Sequence, residues 1–136
     1  MKKNLLVLIP ALILVLFSAS CNKEDPATPA NTSPEGTWSG NGQYGTAPGG
    51  TTYAFTLVLK ANGTVDITGN NSTGVDIATG TWELVQDSVK ATYSYAASSA
   101  TYTLSGKYSA SSNVMAGTIG LGTSTTGVGL FSVTKQ

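Results

Sequence analysis

The chain contains no histidine and no arginine, has a single cysteine, and is only 10% charged over 136 residues. Each shortage removes a class of chemistry. Without histidine there is no Ser-His or Cys-His nucleophilic pair, and zinc, copper and iron sites lose their usual ligands. With no arginine, and seven lysines set against seven acids, no cationic footprint exists to neutralise phosphates, so a nucleic-acid partner is excluded. No segment after Gly36 carries a helical stripe of apolar residues, which argues against an α-rich fold. The one long apolar run, Leu5–Phe17, is shorter than the roughly 20 residues that span a bilayer.

That run follows Lys2 and Lys3 and leads through Ser18-Ala19-Ser20 to Cys21. A positive start, a short apolar stretch and small residues at a cut are the parts of a secretory signal, so residues 1–20 are expected to be removed. The junction resembles a bacterial lipobox, with Ser18 where leucine is usual three places before the cysteine. The resemblance implies cleavage before Cys21 and acylation of both its sulfur and its new amino group. A lone thiol in an oxidising compartment is otherwise a liability for mispairing. At about 0.8 kcal/mol per buried CH₂, one acyl chain holds a protein marginally and two or three hold it firmly. The next residues, Lys23-Glu24-Asp25, resemble the surface-export signal of Bacteroidetes-type lipoproteins, which implies the outer face of the outer membrane. Pro26–Pro34 is too poor in apolar side chains to fold and reads as a tether. The chain thus divides into a signal peptide (1–20), a lipidated cysteine with a flexible tether (21–35) and one domain (36–136), a length that supports a single core.

Within that domain the dominant signal has a period of two. Tyr53, Phe55, Leu57 and Leu59 interleave with Ala54, Thr56, Val58 and Lys60, and the same alternation recurs through Val89, Ala91, Tyr93 and Tyr95 and through Tyr102, Leu104, Gly106 and Tyr108. Eight strands are predicted, over 36–45, 51–60, 64–68, 80–85, 88–95, 100–108, 113–121 and 127–135. Every connection is short enough for sequence neighbours to pair antiparallel. The fold class is all-β: an eight-stranded up-and-down barrel, whose closure removes sticky edges, or alternatively a sandwiched meander. Connections alternate between tight (Asn62-Gly63, Gln86-Asp87, Ser109–Ser112) and loose (Thr46–Gly50, Gly69–Thr79, Ala96–Ser99, Gly122–Thr126). In a barrel this makes a closed floor and an open mouth, with the tether entering on the floor side.

Gly36-Thr37-Trp38 at the first strand, Asn62-Gly63-Thr64 at the first tight hairpin, and Gly80-Thr81-Trp82 before Glu83-Leu84 resemble the lipocalin-like lipoproteins of Bacteroidetes-type bacteria. Lipocalins lay an indole from a Gly-x-Trp across the barrel floor, so the resemblance implies that Trp38 is the floor plug. They usually cover it with an arginine from the last strand, where this chain has Lys135. Avidin-like barrels also begin with Gly-Thr-Trp, and both relatives are eight-stranded barrels.

The inward parity gathers Trp38, Tyr44, Tyr53, Phe55, Trp82, Tyr93, Tyr95, Tyr102, Tyr108 and Phe131. An eight-stranded barrel is just wide enough for side chains to fill it or for one small ligand. If it is hollow, Tyr53, Trp82, Tyr93, Tyr95 and Tyr102 are the expected ligand contacts, with phenol and indole tips fixing orientation. Inward glycines at 40, 42, 106, 117 and 129 leave space opposite rings or permit sharp coiling. Ser88 with Lys90, and Ser105 with Lys107, fall on the solvent face, where nothing depresses a lysine pKa. Asp66, Glu83 and Asp87 likewise point outward or sit in turns, with Lys60 facing Asp66. The stretch Asp66–Asp76 offers calcium-type oxygens without the EF-hand spacing. Asp87-Ser88-Val89 resembles the acceptor of Bacteroidetes O-glycosylation, with Ser88 as the acceptor. Neither catalysis, a metal nor a cofactor is therefore expected. Two functions fit: a membrane-anchored module holding a small apolar or amphipathic ligand, or a filled accessory or adhesion barrel contacting another surface protein or a glycan.

Overall fold

The computed structural model describes residues 32–136; the signal peptide, Cys21, Lys23-Glu24-Asp25 and most of the tether lie outside them. Eight strands follow one another: β1 Gly36–Tyr44, β2 Thr52–Leu59, β3 Thr64–Asn71, β4 Gly74–Val85, β5 Ser88–Tyr95, β6 Thr101–Ser109, β7 Val114–Leu121 and β8 Gly127–Lys135. Each pairs antiparallel with its sequence neighbour, and β8 returns to β1 to close the barrel. The expected up-and-down barrel is therefore the fold, and the sandwich alternative is not. With all edges paired, none of the eight described strands is left to template association with another chain.

The alternation works as the period of two requires. Phe55, Leu57 and Leu59 of β2 and Val65 and Ile67 of β3 are buried, as are Val89, Ala91 and Tyr93 of β5, while the residues between them face solvent or lie half-buried. Each large apolar side chain so buried contributes roughly 1.5–3 kcal/mol relative to exposure. The expected ion pair on the outer face is present: Lys60 Nζ lies 2.7 Å from Asp66. At the β2–β3 turn Gly63 takes the positive φ of 79°, and its N–H donates to the Lys60 carbonyl at 3.0 Å. That is a three-residue hairpin loop with the left-handed residue last. Asn62 Oδ1 accepts from Thr64 N at 3.1 Å and from Thr64 Oγ1 at 2.7 Å, which ties the turn down.

One expectation is corrected. Gly69–Thr79 is not a loose loop; β3 runs on to Asn71 and β4 begins at Gly74, with only Ser72-Thr73 between. Asn71 Oδ1 accepts from Thr73 N at 2.8 Å and from Thr73 Oγ1 at 2.6 Å, which makes the turn tight. The strand is hidden in the sequence because its polarity is inverted at this end. Val75 and Ile77 point outward, 58% exposed each, whereas Asp76 takes the inward parity opposite Gly69.

The floor is sealed around Trp38. Trp38 is 0% exposed, and its Nε1 donates to the Pro34 carbonyl at 2.7 Å. Tyr108 meets the indole edge to face, centroids 5.6 Å apart at 88°. Lys135 stands in direct register with Trp38 and holds its Nζ 5.8 Å from the ring centroid. That distance allows a cation–π attraction. Lys135 Nζ and Tyr108 Oη both donate to the Ser33 carbonyl, at 2.8 and 3.2 Å. Pro34 is buried, so the last residues assigned to the tether belong to the fold and cap its floor.

None of the five inward glycines leaves empty space: a Cβ at Gly40, Gly117 or Gly129 would meet a neighbouring strand's backbone, and at the other two it would meet a ring. A Cβ on Gly42 would collide with the ring of Tyr53, and one on Gly106 with the ring of Phe131. Each ring therefore takes the space a side chain would need, filling the middle of the barrel instead of hollowing it.

Candidate functional site

Above that packed middle the interior opens. A cavity of about 260 Å³ lies at the loop end, walled by Tyr44, Tyr53, Tyr93, Tyr95 and Tyr102 with Ile119 and Val128, and rimmed by Gln43, Asn71, Asp76 and Ser98. The volume falls just under the range of about 300–1,000 Å³ typical of drug-sized ligand sites. It suits a molecule of about one ring in size and not a long acyl chain.

The walls are built by pairs of adjacent strands. Tyr93 of β5 pairs in register with Tyr102 of β6, and their rings stack at 5.8 Å and 19°. Tyr95, two residues further along β5, stands nearly perpendicular to both, at 82° to Tyr93 and 79° to Tyr102. On the opposite wall Tyr53 of β2 lies over Gly42 and meets Tyr44 at 4.6 Å. Such contacts are worth about 0.5–1.5 kcal/mol each beyond burial, and they hold the rings in place before any ligand arrives.

The Tyr53, Tyr93 and Tyr95 phenols stay protonated. Burial is the main cause that raises the hydroxyl pKa of Tyr53, with repulsion from Tyr95 and Tyr44 adding to it. Burial raises Tyr93 further, and Tyr95, Tyr53 and Tyr102 act in the same direction. Tyr95 is raised by burial against a hydrogen bond from Tyr93 that lowers it, and the Asp76 carboxylate raises it again.

No protein-family model, curated protein or solved structure matches the chain. The site is accordingly read from its own geometry.

Of the predicted contacts, Tyr53, Tyr93, Tyr95 and Tyr102 converge on the cavity, and Trp38 lies at the floor. Trp82 does not join them. Its backbone N–H donates to the Gly63 carbonyl at 2.8 Å and its Nε1 to the Lys60 carbonyl at 2.9 Å, both in the β2–β3 turn at the floor end. Strand parity gives the side of the wall a residue faces and not its height, and Trp82 has the right side at the wrong end. The sequence reading also missed Asn71 and Asp76, because both were assigned to a loop. Their signal was the alternation Gly69, Asn71 on one strand and Asp76, Ala78 on the next, continuing the inward parity of Val65, Ile67 and Trp82. The calcium-type grouping does not form: Asp66 is on the outer face with Lys60, Asp76 is at the mouth, and no metal-ligating cluster occurs among the described residues.

Proposed function

We propose that the chain is a membrane-anchored lipoprotein, not an enzyme, whose barrel holds one small molecule in the cavity at its mouth. The observation that carries this reading is the division of the interior: a floor sealed around Trp38 and an upper end left open and lined with tyrosine. Rigid aromatic walls with a few polar groups at the rim are what small-molecule sites offer. The lipobox-like junction at Cys21 supports anchoring, and Lys23-Glu24-Asp25 supports an address on the outer face of the outer membrane. Ser33-Pro34 dock against the floor, so a tether leaving from there directs the mouth away from the bilayer. The alternative of an accessory or adhesion barrel draws support from Val75 and Ile77, adjacent on the outer face of β4 and exposed.

The tyrosines supply the test. Of the six in the chain, five line the cavity and Tyr108 lies at the floor, where it serves as an internal control. Titration with fractionated lipid and metabolite extracts should shift the ring resonances of the five and leave Tyr108 unmoved. Tryptophan emission is the poorer reporter, since both indoles are at the floor end. If no fraction gives a saturable shift, the ligand-binding reading fails and the accessory reading replaces it.

Anchoring and address have separate tests. Cys21→Ser should move the protein from the detergent phase to the aqueous phase, because two or three acyl chains are lost at once; a variant that still partitions as an integral protein contradicts the lipobox. Replacing Lys23, Glu24 and Asp25 by alanine should leave the protein lipidated and shield it from protease added to intact cells. Equal cleavage of variant and parent would reduce the charged run to a spacer.

A further inference from the structure

Charge is distributed unevenly along the barrel axis. Among the described residues all four lysines, and every acid but one, lie on the floor half: Lys60 with Asp66 at 2.7 Å, Lys107 with Asp87 at 3.1 Å, Lys90 in register with Glu83, Lys135 against Trp38, and Glu35 just before β1. Asp76 is the exception. It stands alone at the mouth, on the rim of a cavity that no cationic side chain lines.

The two side-chain amides around it are committed within the protein. The Asn71 amide donates to Asp76 at 3.0 Å and to the Tyr44 hydroxyl oxygen at 3.2 Å. The Gln43 amide donates to the Gly45 and Ala47 carbonyls at 3.3 and 2.9 Å. What remains to meet a ligand is a carboxylate beside five phenols, whose hydroxyls can donate and whose ring faces carry the negative end of the quadrupole. The lone carboxylate disfavours an anionic ligand, and no cationic side chain lines the cavity to offset it. A compact positive charge is attracted by both the carboxylate and the rings.

We infer that the mouth cavity is a site for a small organic cation, a quaternary ammonium or a protonated amine. This rests on the reading of the cavity as a ligand site and narrows the apolar or amphipathic ligand expected from sequence to one with a positive head. Tyr53, Tyr95 and Tyr102 form the cage, Asp76 supplies the countercharge, and Asn71 holds that carboxylate at the rim. The cavity volume of about 260 Å³ admits a trimethylammonium group with a short chain or one ring.

Calorimetry on the full chain, purified from membranes in a nonionic detergent, tests this with three probes of one shape. Choline carries the charge, 3,3-dimethylbutan-1-ol replaces its nitrogen by carbon, and 3,3-dimethylbutanoate is the anion. Choline should bind at least about tenfold more tightly than the neutral alcohol, the free-energy difference that a carboxylate and a partly desolvated cation–π contact supply together. The anion should not bind. In Asp76→Asn, which keeps the hydrogen bond to Asn71 possible and sits at an exposed position, the ratio of choline to alcohol affinity should fall to about two or three. The parent's preference should weaken as salt is raised, because the rim carboxylate is open to screening. Equal affinity for choline and the alcohol, or an unchanged ratio in Asp76→Asn, would overturn the cation inference while leaving a ligand site in place. No binding by any of the three probes overturns it as well, and the extract titration on the tyrosine resonances then decides separately whether the cavity takes a ligand at all.

Discussion

Trp38→Ala should destabilise the folded domain by about 3–5 kcal/mol, as expected for removing a fully buried aromatic side chain. Three separate losses converge on that position. The indole is 0% exposed, so its whole area returns to a void. Its N–H is the donor to the Pro34 carbonyl at 2.7 Å, and a buried carbonyl left without a donor costs about 1–3 kcal/mol more if water does not reach it. Its ring also carries the edge-to-face contact with Tyr108 and the approach of Lys135 Nζ at 5.8 Å. A domain of this size has about 5–15 kcal/mol of stability in all, so the loss is a large part of it. Chemical denaturation of parent and variant measures it directly. Trp38→Phe should give an intermediate value, since it restores most of the ring and none of the N–H. A change below about 1 kcal/mol for the alanine variant would show that the floor is held by the strand ladder alone. Below its unfolding temperature the alanine variant should still bind at the mouth, because none of the residues of the floor seal lines the cavity.

Most of the barrel was legible in the sequence, for a physical reason. In a closed meander every strand has one buried face, so the period of two recurs in each strand and the short connections leave little freedom in pairing order. The Gly-Thr-Trp start and the tight turn at Asn62-Gly63 marked the floor. The pattern failed where the barrel wall ends. At the mouth, inward residues no longer need to be apolar, and the β3–β4 hairpin carries Asn71 and Asp76 inside with Val75 and Ile77 outside. That inversion reads as a loop and hides the one charge at the site. Trp82 failed differently: its face was right, but its height along the barrel depends on register and stagger, which no local pattern encodes. The inward glycines fitted either openings or sharp coiling, and they are places where a ring or a neighbouring backbone comes close.

Gly117→Ala turns that last point into a second large effect. Gly117 of β7 faces Gly106 of β6 on one side and Phe131 of β8 on the other. A Cβ at Gly117 would fall inside contact distance of the Ser105 carbonyl oxygen, and 2.8 Å from the Ser105 carbonyl carbon. Both atoms are backbone, so no rotamer change relieves the clash and β6 must move away from β7. Overpacking of this kind costs about 1–3 kcal/mol, and the rigid neighbours put this site at the upper end. Ala116→Ser next to it, on the exposed face, should change stability by no more than about 0.5 kcal/mol. If Gly117→Ala is as mild as that, the close approach of the two strands is not required. The displacement should also be felt above it, because the same strand pair carries Leu104 opposite Ile119 and Tyr102 opposite Leu121, and Ile119 and Tyr102 both line the cavity. Separating β6 from β7 moves Tyr102 away from Tyr93 and Tyr95 and opens the aromatic wall on that side. Gly117→Ala should therefore lower both stability and mouth affinity, whereas Trp38→Ala lowers stability alone. That contrast follows from where each residue sits: the glycine helps set the width of the barrel beneath the cavity, and the tryptophan only closes its far end.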